Sequence, residues 1–178
     1  RQHFAHDPLA SPADARRVTP GSMDDVRLLQ GCDWVIEAVI EDRGVKDDVY
    51  AGVRAAAPGA VLTSNTSTIP LAELQCDGIT HFFNPPRYMR LLELVTGPNT
   101  TPATADKLAG FIDRAMGKRV VRAHDTPGFI ANRIGVYAIC NCIRTMVETG
   151  MTVEEVDAVA GPATARPKSA AFRTADLV

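Results

Sequence analysis

Short apolar segments alternate with helical patterns up to about residue 124, and this alternation restricts the possible folds more than any other feature. Strand-like segments are expected at residues 34–40, 61–63, 79–83, 91–96 and 119–123, and the first of them is apolar except for Glu37. Apolar residues at helical spacing lie between them, at Val45, Val49 and Val53 and again across residues 102–116. Thr101 and Gly117 have the residue types that begin and end this second helix. Strands that alternate with helices are typical of a mostly parallel α/β sheet.

The pattern changes at Asp125, after which only helices are expected. A long helix is predicted to open at residues 125–128 and to reach about residue 148. A shorter one follows at residues 152–160, where Thr152 and Glu155 have the spacing of a capping box. The chain is therefore predicted to contain an α/β domain over residues 1–124 and the beginning of an all-helical domain over residues 125–178. Residues 1–23 are expected to be loop, with a frayed helix end and a short strand at residues 17–19.

The composition is that of an ordinary globular protein. Hydrophobic residues make up 46% of the 178 residues and charged residues 22%, with a net charge of −2. This balance argues against disorder, and the near-neutral charge argues against a nucleic-acid partner. The apolar runs are far shorter than a membrane span.

The four cysteines, Cys32, Cys76, Cys140 and Cys142, do not have the spacing of a metal site. Cys140 and Cys142 lie two residues apart on a predicted helix, so their side chains point in different directions. Reduced thiols in a cytoplasmic protein without a metal site are therefore expected.

Polar residues follow three of the predicted strands. Glu41 comes after the first, Ser64 to Ser67 (SNTS) after the second, and His81 and Asn84 lie at the third. Ligands of open α/β sheets bind beyond the carboxyl ends of the strands, so these residues are candidates for one site. Each could instead serve only a turn, as Ser and Asn often do.

His81 and Glu93 are polar residues within the otherwise apolar stretch ITHFFNPPRYMRLLELV. A lone histidine in such a place is more often structural than catalytic, but an ionised carboxylate is rarely buried without a partner. A pair would satisfy both groups, and the carboxylate would orient the imidazole as a general base. Asn132, in the first turns of the long helix, either takes part in the site or bonds to nearby backbone.

Four motifs in order, WVIEAVIED, SNTSTIP, HFFNPPRYMRLLELV and DTPGFIANRIG, resemble the 3-hydroxyacyl-CoA dehydrogenases of fatty-acid β-oxidation. The resemblance runs from about residue 32 to the end of the chain. With its NPPRY and GPATARPKSAAFRTADLV segments, the sequence is most similar to the longer bacterial members, which often carry a fused enoyl-CoA hydratase.

The resemblance implies a Rossmann-type NAD-binding domain followed by a helical domain that forms a homodimer. It implies NAD-dependent oxidation of (S)-3-hydroxyacyl-CoA to 3-ketoacyl-CoA. His81 would be the base, Glu93 would support the imidazolium, and Ser67 and Asn132 would hold the reacting oxygen and the thioester end of the acyl-CoA. The implied cofactor-binding residues are Glu41, Lys46, Asn65 and Asn84.

The sequence departs from the family pattern in its cofactor motif. The glycine fingerprint G-x-G-x-x-G does not occur in these 178 residues, nor does the acidic residue that follows it on the ribose. We therefore expect a partial chain that is inactive by itself, from an active parent protein. Two alternatives are a non-catalytic, crystallin-like relative on the same scaffold and a β-hydroxyacid dehydrogenase, whose base would be a lysine.

Overall fold

The structure is a computed structural model that describes residues 11–165 and 169–176. The loop predicted for residues 1–10, and residues 166–168 and 177–178 of the C-terminal motif, lie outside the described residues. The strands and main helices are β1 (Trp34–Glu37), α1 (Arg43–Ala56), β2 (Val61–Ser64), β3 (Gly78–Phe82), β4 (Leu91–Thr96), α2 (Pro102–Met116), β5 (Arg119–Ala123), α3 (Ala131–Thr149), α4 (Val153–Val159) and α5 (Phe172–Ala175). Short 3-10 helices lie at Pro12–Arg17, Val26–Leu29, Leu71–Glu73 and Pro162–Thr164.

The five strands form one sheet in the order β1-β2-β3-β4-β5. Three of its pairings are parallel and only β3 with β4 is antiparallel. Residues 83–90 alone connect β3 to β4, too few for the dozen or so residues that a parallel crossover requires. The predicted α/β class, with a mostly parallel sheet followed by helices, is confirmed.

The centre of the sheet is covered on both faces. Most residues of β3 and β4 are buried, and Leu92 and Leu94 pack with Leu108 and Ile112 of α2. Burial of such a side chain contributes about 1.5–3 kcal/mol of transfer free energy, so this cluster anchors α2 to the sheet. The predicted ends of α2 are confirmed, since Thr101 accepts a hydrogen bond from the Thr104 amide and Gly117 adopts a left-handed conformation.

Two predicted boundaries and one predicted strand were wrong by more than a residue. β1 ends at Glu37 rather than at residue 40, because the Val39 amide donates to the Glu37 side chain. Residues 12–17 form a 3-10 helix capped by Ser11, and no strand is seen at residues 17–19. α3 begins at Ala131 rather than at 125–128, because Gly128 and Phe129 have φ angles of 73° and 47°, outside the right-handed helical region.

The chain divides into two compact units between Thr126 and Pro127, close to Asp125, where the pattern of the sequence changes. Within the second unit, Thr152 and Glu155 form the predicted capping box of α4. Asp157 accepts hydrogen bonds from the Phe172 and Ala171 amides and thereby holds the start of α5. Among the described residues, no helix combines the length and the apolar character needed to cross a membrane.

Candidate active site

His81 and Glu93 are directly opposite each other on the antiparallel strands β3 and β4. Both are buried, at 4% and 1% exposure. His81 Nδ1 lies 2.8 Å from Glu93 Oε2, and the Phe83 ring packs against the imidazole at 4.6 Å between centroids. The predicted pairing is present because the short connection turns β4 back along β3 and brings the two side chains to one face of the sheet.

The contact with Glu93 determines which nitrogen of His81 can act as a base. An ionised carboxylate only accepts hydrogen bonds, so Nδ1 must carry the proton that is shared with Glu93 Oε2. In the neutral ring, Nε2 then carries the lone pair. That atom faces Ser67, whose Oγ lies 3.3 Å away.

Glu41 holds Ser67 in place by accepting hydrogen bonds from the Ser67 amide and from the neighbouring residues Thr66 and Thr68. Glu41 Oε1 accepts hydrogen bonds from the Ser67 amide at 3.0 Å and from the Thr68 amide and hydroxyl at 3.2 and 3.0 Å. The Thr66 hydroxyl donates to the same oxygen. Glu41 Oε2 faces Lys46 Nζ at 3.2 Å. One carboxylate thus fixes the segment that carries Ser67.

The same contacts keep Glu41 ionised. Partial burial works to raise its pKa, but the hydrogen bonds from Thr66, Lys46, Ser67 and Thr68 outweigh it and lower the pKa from 4.5 to about 2. A carboxylate with a depressed pKa stabilises the folded state above its unfolded pKa, and this contribution is lost as the pH falls toward the folded value.

The free energy of unfolding should therefore decrease between pH 4.5 and about 2 in part through Glu41. In the whole protein, Glu41→Gln is expected to melt at a lower temperature than the parent at neutral pH and to lose less stability across that interval. Melting temperature measured against pH tests this. Glu148→Gln, on the exposed surface of α3, is the control and should keep the parent's pH dependence. If the melting temperature of Glu41→Gln falls with pH as steeply as that of the parent, Glu41 does not contribute to the loss of stability in acid.

The three asparagines predicted for the site occupy different places. Asn65 is half-buried, and its Oδ1 accepts a hydrogen bond from the Phe82 amide at 3.0 Å, which ties the segment after β2 to the end of β3. Asn84 is exposed and precedes Pro85. Asn132 lies in the first turn of α3, within the second unit, and is half-buried. The first unit therefore brings together His81, Glu93, Ser67, Glu41 and Lys46.

A buried polar cluster beneath the Ser67 segment was missed by the sequence analysis. Glu37 Oε1 accepts from the Val39 amide at 2.6 Å and from Lys46 Nζ at 2.8 Å. Its Oε2 accepts from the hydroxyls of Tyr50 and Ser64 at 2.9 and 2.7 Å. The available signal was a single charge inside the apolar strand WVIEAVI, with a lysine nine residues further on.

A cavity of about 680 Å³ lies elsewhere in the first unit, along β1, α1 and the segment around Val26. Its lining includes Glu37, Ala38 and Val39 at the carboxyl end of β1 but not His81, Glu93 or Ser67. His81 and Glu93 therefore lie outside this cavity.

Comparison with known proteins links this geometry to one family. Residues 12–126 match the model of the 3-hydroxyacyl-CoA dehydrogenase NAD-binding domain. The chain is 42% identical to a Deinococcus radiodurans protein named "Probable 3-hydroxyacyl-CoA dehydrogenase", over 92% of this chain and 50% of the relative. It is 41% identical to a Bacillus subtilis protein of the same name, over 96% of this chain and 23% of the relative.

A solved structure gives the same result for the fold. The crystal structure of Mycobacterium tuberculosis FadB2 superposes with a TM-score of 0.76 at 38% identity, covering 86% of this chain and 57% of that one. This chain thus spans about a quarter to rather more than half of the length of these similar proteins.

Proposed function

Because the chain belongs to the 3-hydroxyacyl-CoA dehydrogenase family, we propose that the whole protein oxidises (S)-3-hydroxyacyl-CoA to 3-ketoacyl-CoA with NAD, as a step of fatty-acid β-oxidation. The observation that carries the proposal is the contact of 2.8 Å between His81 Nδ1 and Glu93 Oε2, which leaves Nε2 able to take a proton. A buried, oriented imidazole is the arrangement that general-base catalysis requires.

In this proposal His81 Nε2 takes the proton of the substrate's 3-hydroxyl group. The buried carboxylate of Glu93 then faces the resulting imidazolium across 2.8 Å and offsets the cost of a charge in a desolvated place. Ser67 Oγ, 3.3 Å from Nε2, is placed to hold the reacting oxygen near the base. Asn132 is proposed to hold the thioester end of the acyl-CoA.

The residues of the first unit fit NAD by their chemistry. Bound NAD would supply the acceptor for the hydride that leaves C3 of the substrate. Glu41, an ionised carboxylate with a side chain 38% exposed, lies beyond the carboxyl end of β1, where ribose hydroxyls are bound in open α/β sheets. Lys46 holds the Oε2 oxygen of Glu41, and Asn65 and Asn84 are proposed as further cofactor-binding residues.

Further properties of the whole protein are proposed on the family resemblance. They are a homodimer formed through the helical domain, a cytoplasmic location, and an enoyl-CoA hydratase that is fused or associated. The last is supported by relatives from Rickettsia felis and Rickettsia prowazekii, each named "Putative fatty acid oxidation complex trifunctional enzyme". The proposed domains are residues 1–124 and 125–178.

A direct assay separates this function from a non-catalytic role on the same scaffold. The whole protein, given acetoacetyl-CoA and NADH, is expected to consume NADH at a rate proportional to enzyme, and the isolated 178-residue chain is expected to be inactive. Absence of turnover in a folded whole protein that binds NADH would favour the crystallin-like alternative. Turnover of a small β-hydroxyacid but not of the CoA ester would reject the proposed substrate.

A further inference from the structure

Glu37 is an ionised carboxylate in the interior of the first unit. Its side chain is fully enclosed, and that of Lys46 is 1% exposed. Burial works to raise the pKa of Glu37, but hydrogen bonds from Lys46, Ser64, Val39 and Tyr50 lower it below 4.5. Burial raises the pKa of Tyr50 as well, so its hydroxyl stays protonated and donates.

Stability alone does not explain a charge at this position. Replacement of a buried ion pair by well-packed apolar residues is often neutral or stabilising, because both charges must be stripped of water. The residues of β1 before Glu37 are apolar, whereas the carboxylate itself is surrounded by polar groups from α1 and β2. The contacts of the carboxylate therefore point to a role in placing other groups.

One set of contacts leads from Glu37 to the backbone before Ser67. Ser64 Oγ donates to Glu37 Oε2 at 2.7 Å and accepts a hydrogen bond from the Thr66 amide at 3.1 Å. The orientation of the Ser64 hydroxyl, and with it the path of segment 64–68, depends on the carboxylate.

A second set of contacts reaches Ser67 through Lys46. The Lys46 ammonium lies 2.8 Å from Glu37 Oε1 and 3.2 Å from Glu41 Oε2. Glu41 in turn accepts from the Ser67 amide at 3.0 Å. Glu37 thus fixes the Lys46 ammonium, which in turn contacts the Glu41 carboxylate that holds Ser67.

We propose that Glu37 is a positioning residue of the active site, which fixes segment 64–68 and Lys46 and thereby holds Ser67 Oγ next to His81 Nε2. The kinetic part of this inference rests on the proposed function, because the position of Ser67 affects turnover only if His81 is the base. The structural part, that Glu37 fixes segment 64–68, does not depend on it.

Glu37→Gln in the whole protein is expected to lower kcat by about 10- to 100-fold, since a small displacement of a positioned group has effects of that order. In a Ser67→Ala background the same change should have little further effect, because both act through Ser67. The matched control is Asp77→Asn. Like Glu37, Asp77 pairs with a cation of α1, Arg54, and accepts a hydrogen bond from β2, here from the Leu62 amide, and the change weakens both contacts. Its effect should be small and additive with Ser67→Ala.

Amide hydrogen exchange supplies a readout that does not require turnover. In Glu37→Gln, the Thr66 and Ser67 amides are expected to exchange at least about tenfold faster than in the parent, as loss of a hydrogen bond to a charged group implies. Asp77→Asn should leave both rates as they are. Equal exchange at these amides in parent and Glu37→Gln would overturn the structural part of the inference.

Glu37→Gln removes the buried charge that faces Lys46, and the variant could therefore fail to fold. In that case a second pair of variants tests the inference. Ser64→Ala and Tyr50→Phe each remove one hydroxyl from Glu37 Oε2, but of these two hydroxyls that of Ser64 accepts the hydrogen bond from the Thr66 amide. Ser64→Ala should lower kcat and speed exchange at Thr66, whereas Tyr50→Phe should do neither. Equal effects of the two would reject the inference.

The outcomes also separate this inference from the proposed function. If the whole protein is inactive toward the CoA substrate but the Thr66 and Ser67 amides exchange faster in Glu37→Gln, the structural role of Glu37 is supported and the proposed reaction is rejected. If the whole protein is active, and Glu37→Gln and Asp77→Asn lower kcat equally and additively with Ser67→Ala, the proposed reaction is supported and the positioning role of Glu37 is rejected.

Discussion

Replacement of His81 by alanine in the whole protein is expected to lower kcat for 3-hydroxyacyl-CoA oxidation by about 10²- to 10⁴-fold, the usual contribution of a positioned general base. The imidazole is 4% exposed and is oriented by Glu93 on one side, with Ser67 at the other nitrogen.

The control for His81→Ala is His124→Ala. His124 is exposed and lies after β5, on the same unit, so its loss removes a histidine without changing the proposed site. Steady-state kinetics should give a kcat for His124→Ala close to that of the parent. A folded His81→Ala variant with an unchanged kcat would rule out His81 as the base. Retained NAD binding, measured by NADH fluorescence, shows that the site has not collapsed.

The fold could be predicted from the sequence to the extent that its determinants are local. The apolar spacing of α2 and its end signals, Thr101 and Gly117, act within a few residues, and the structure confirms them. β1 was predicted too long because its end is determined by a side chain, Glu37, that takes the Val39 amide out of the ladder. The start of α3 was misplaced because Phe129, which is not a glycine, adopts a positive φ.

The site was predictable by residue type but not by geometry. His81 and Glu93 could be proposed as a pair because each needs a polar partner, whereas their contact depends on the antiparallel register of β3 and β4. The contact of Glu41 with segment 64–68 requires four backbone and side-chain donors to converge on one oxygen, which no spacing in the sequence encodes. Glu37 was noticed only as an exception in an apolar strand, since its partners come from α1 and β2.

Glu93→Gln is expected to lower kcat by about 10²- to 10⁴-fold while NAD affinity stays nearly the same, because the change acts on the base rather than on the cofactor-binding residues. Glutamine has almost the same size, so packing around β4 is kept. Its amide group can donate to Nδ1 of His81, which the carboxylate cannot do. The imidazole proton then moves to Nε2, and the atom that faces Ser67 can no longer accept a proton.

Nitrogen NMR of ¹⁵N-histidine-labelled protein tests this cause directly, since protonated and unprotonated ring nitrogens have different shifts. The parent is expected to carry its proton on Nδ1 at a pH where the ring is neutral, and Glu93→Gln to carry it on Nε2. Asp77→Asn, the same carboxylate-to-amide change at the residue before β3, should alter neither the tautomer nor kcat. If the proton stays on Nδ1 and kcat still falls, the charge of Glu93 opposite the imidazolium, rather than the tautomer, accounts for its effect. If kcat is unchanged, Glu93 has no part in the reaction, and the contact of 2.8 Å serves only the fold.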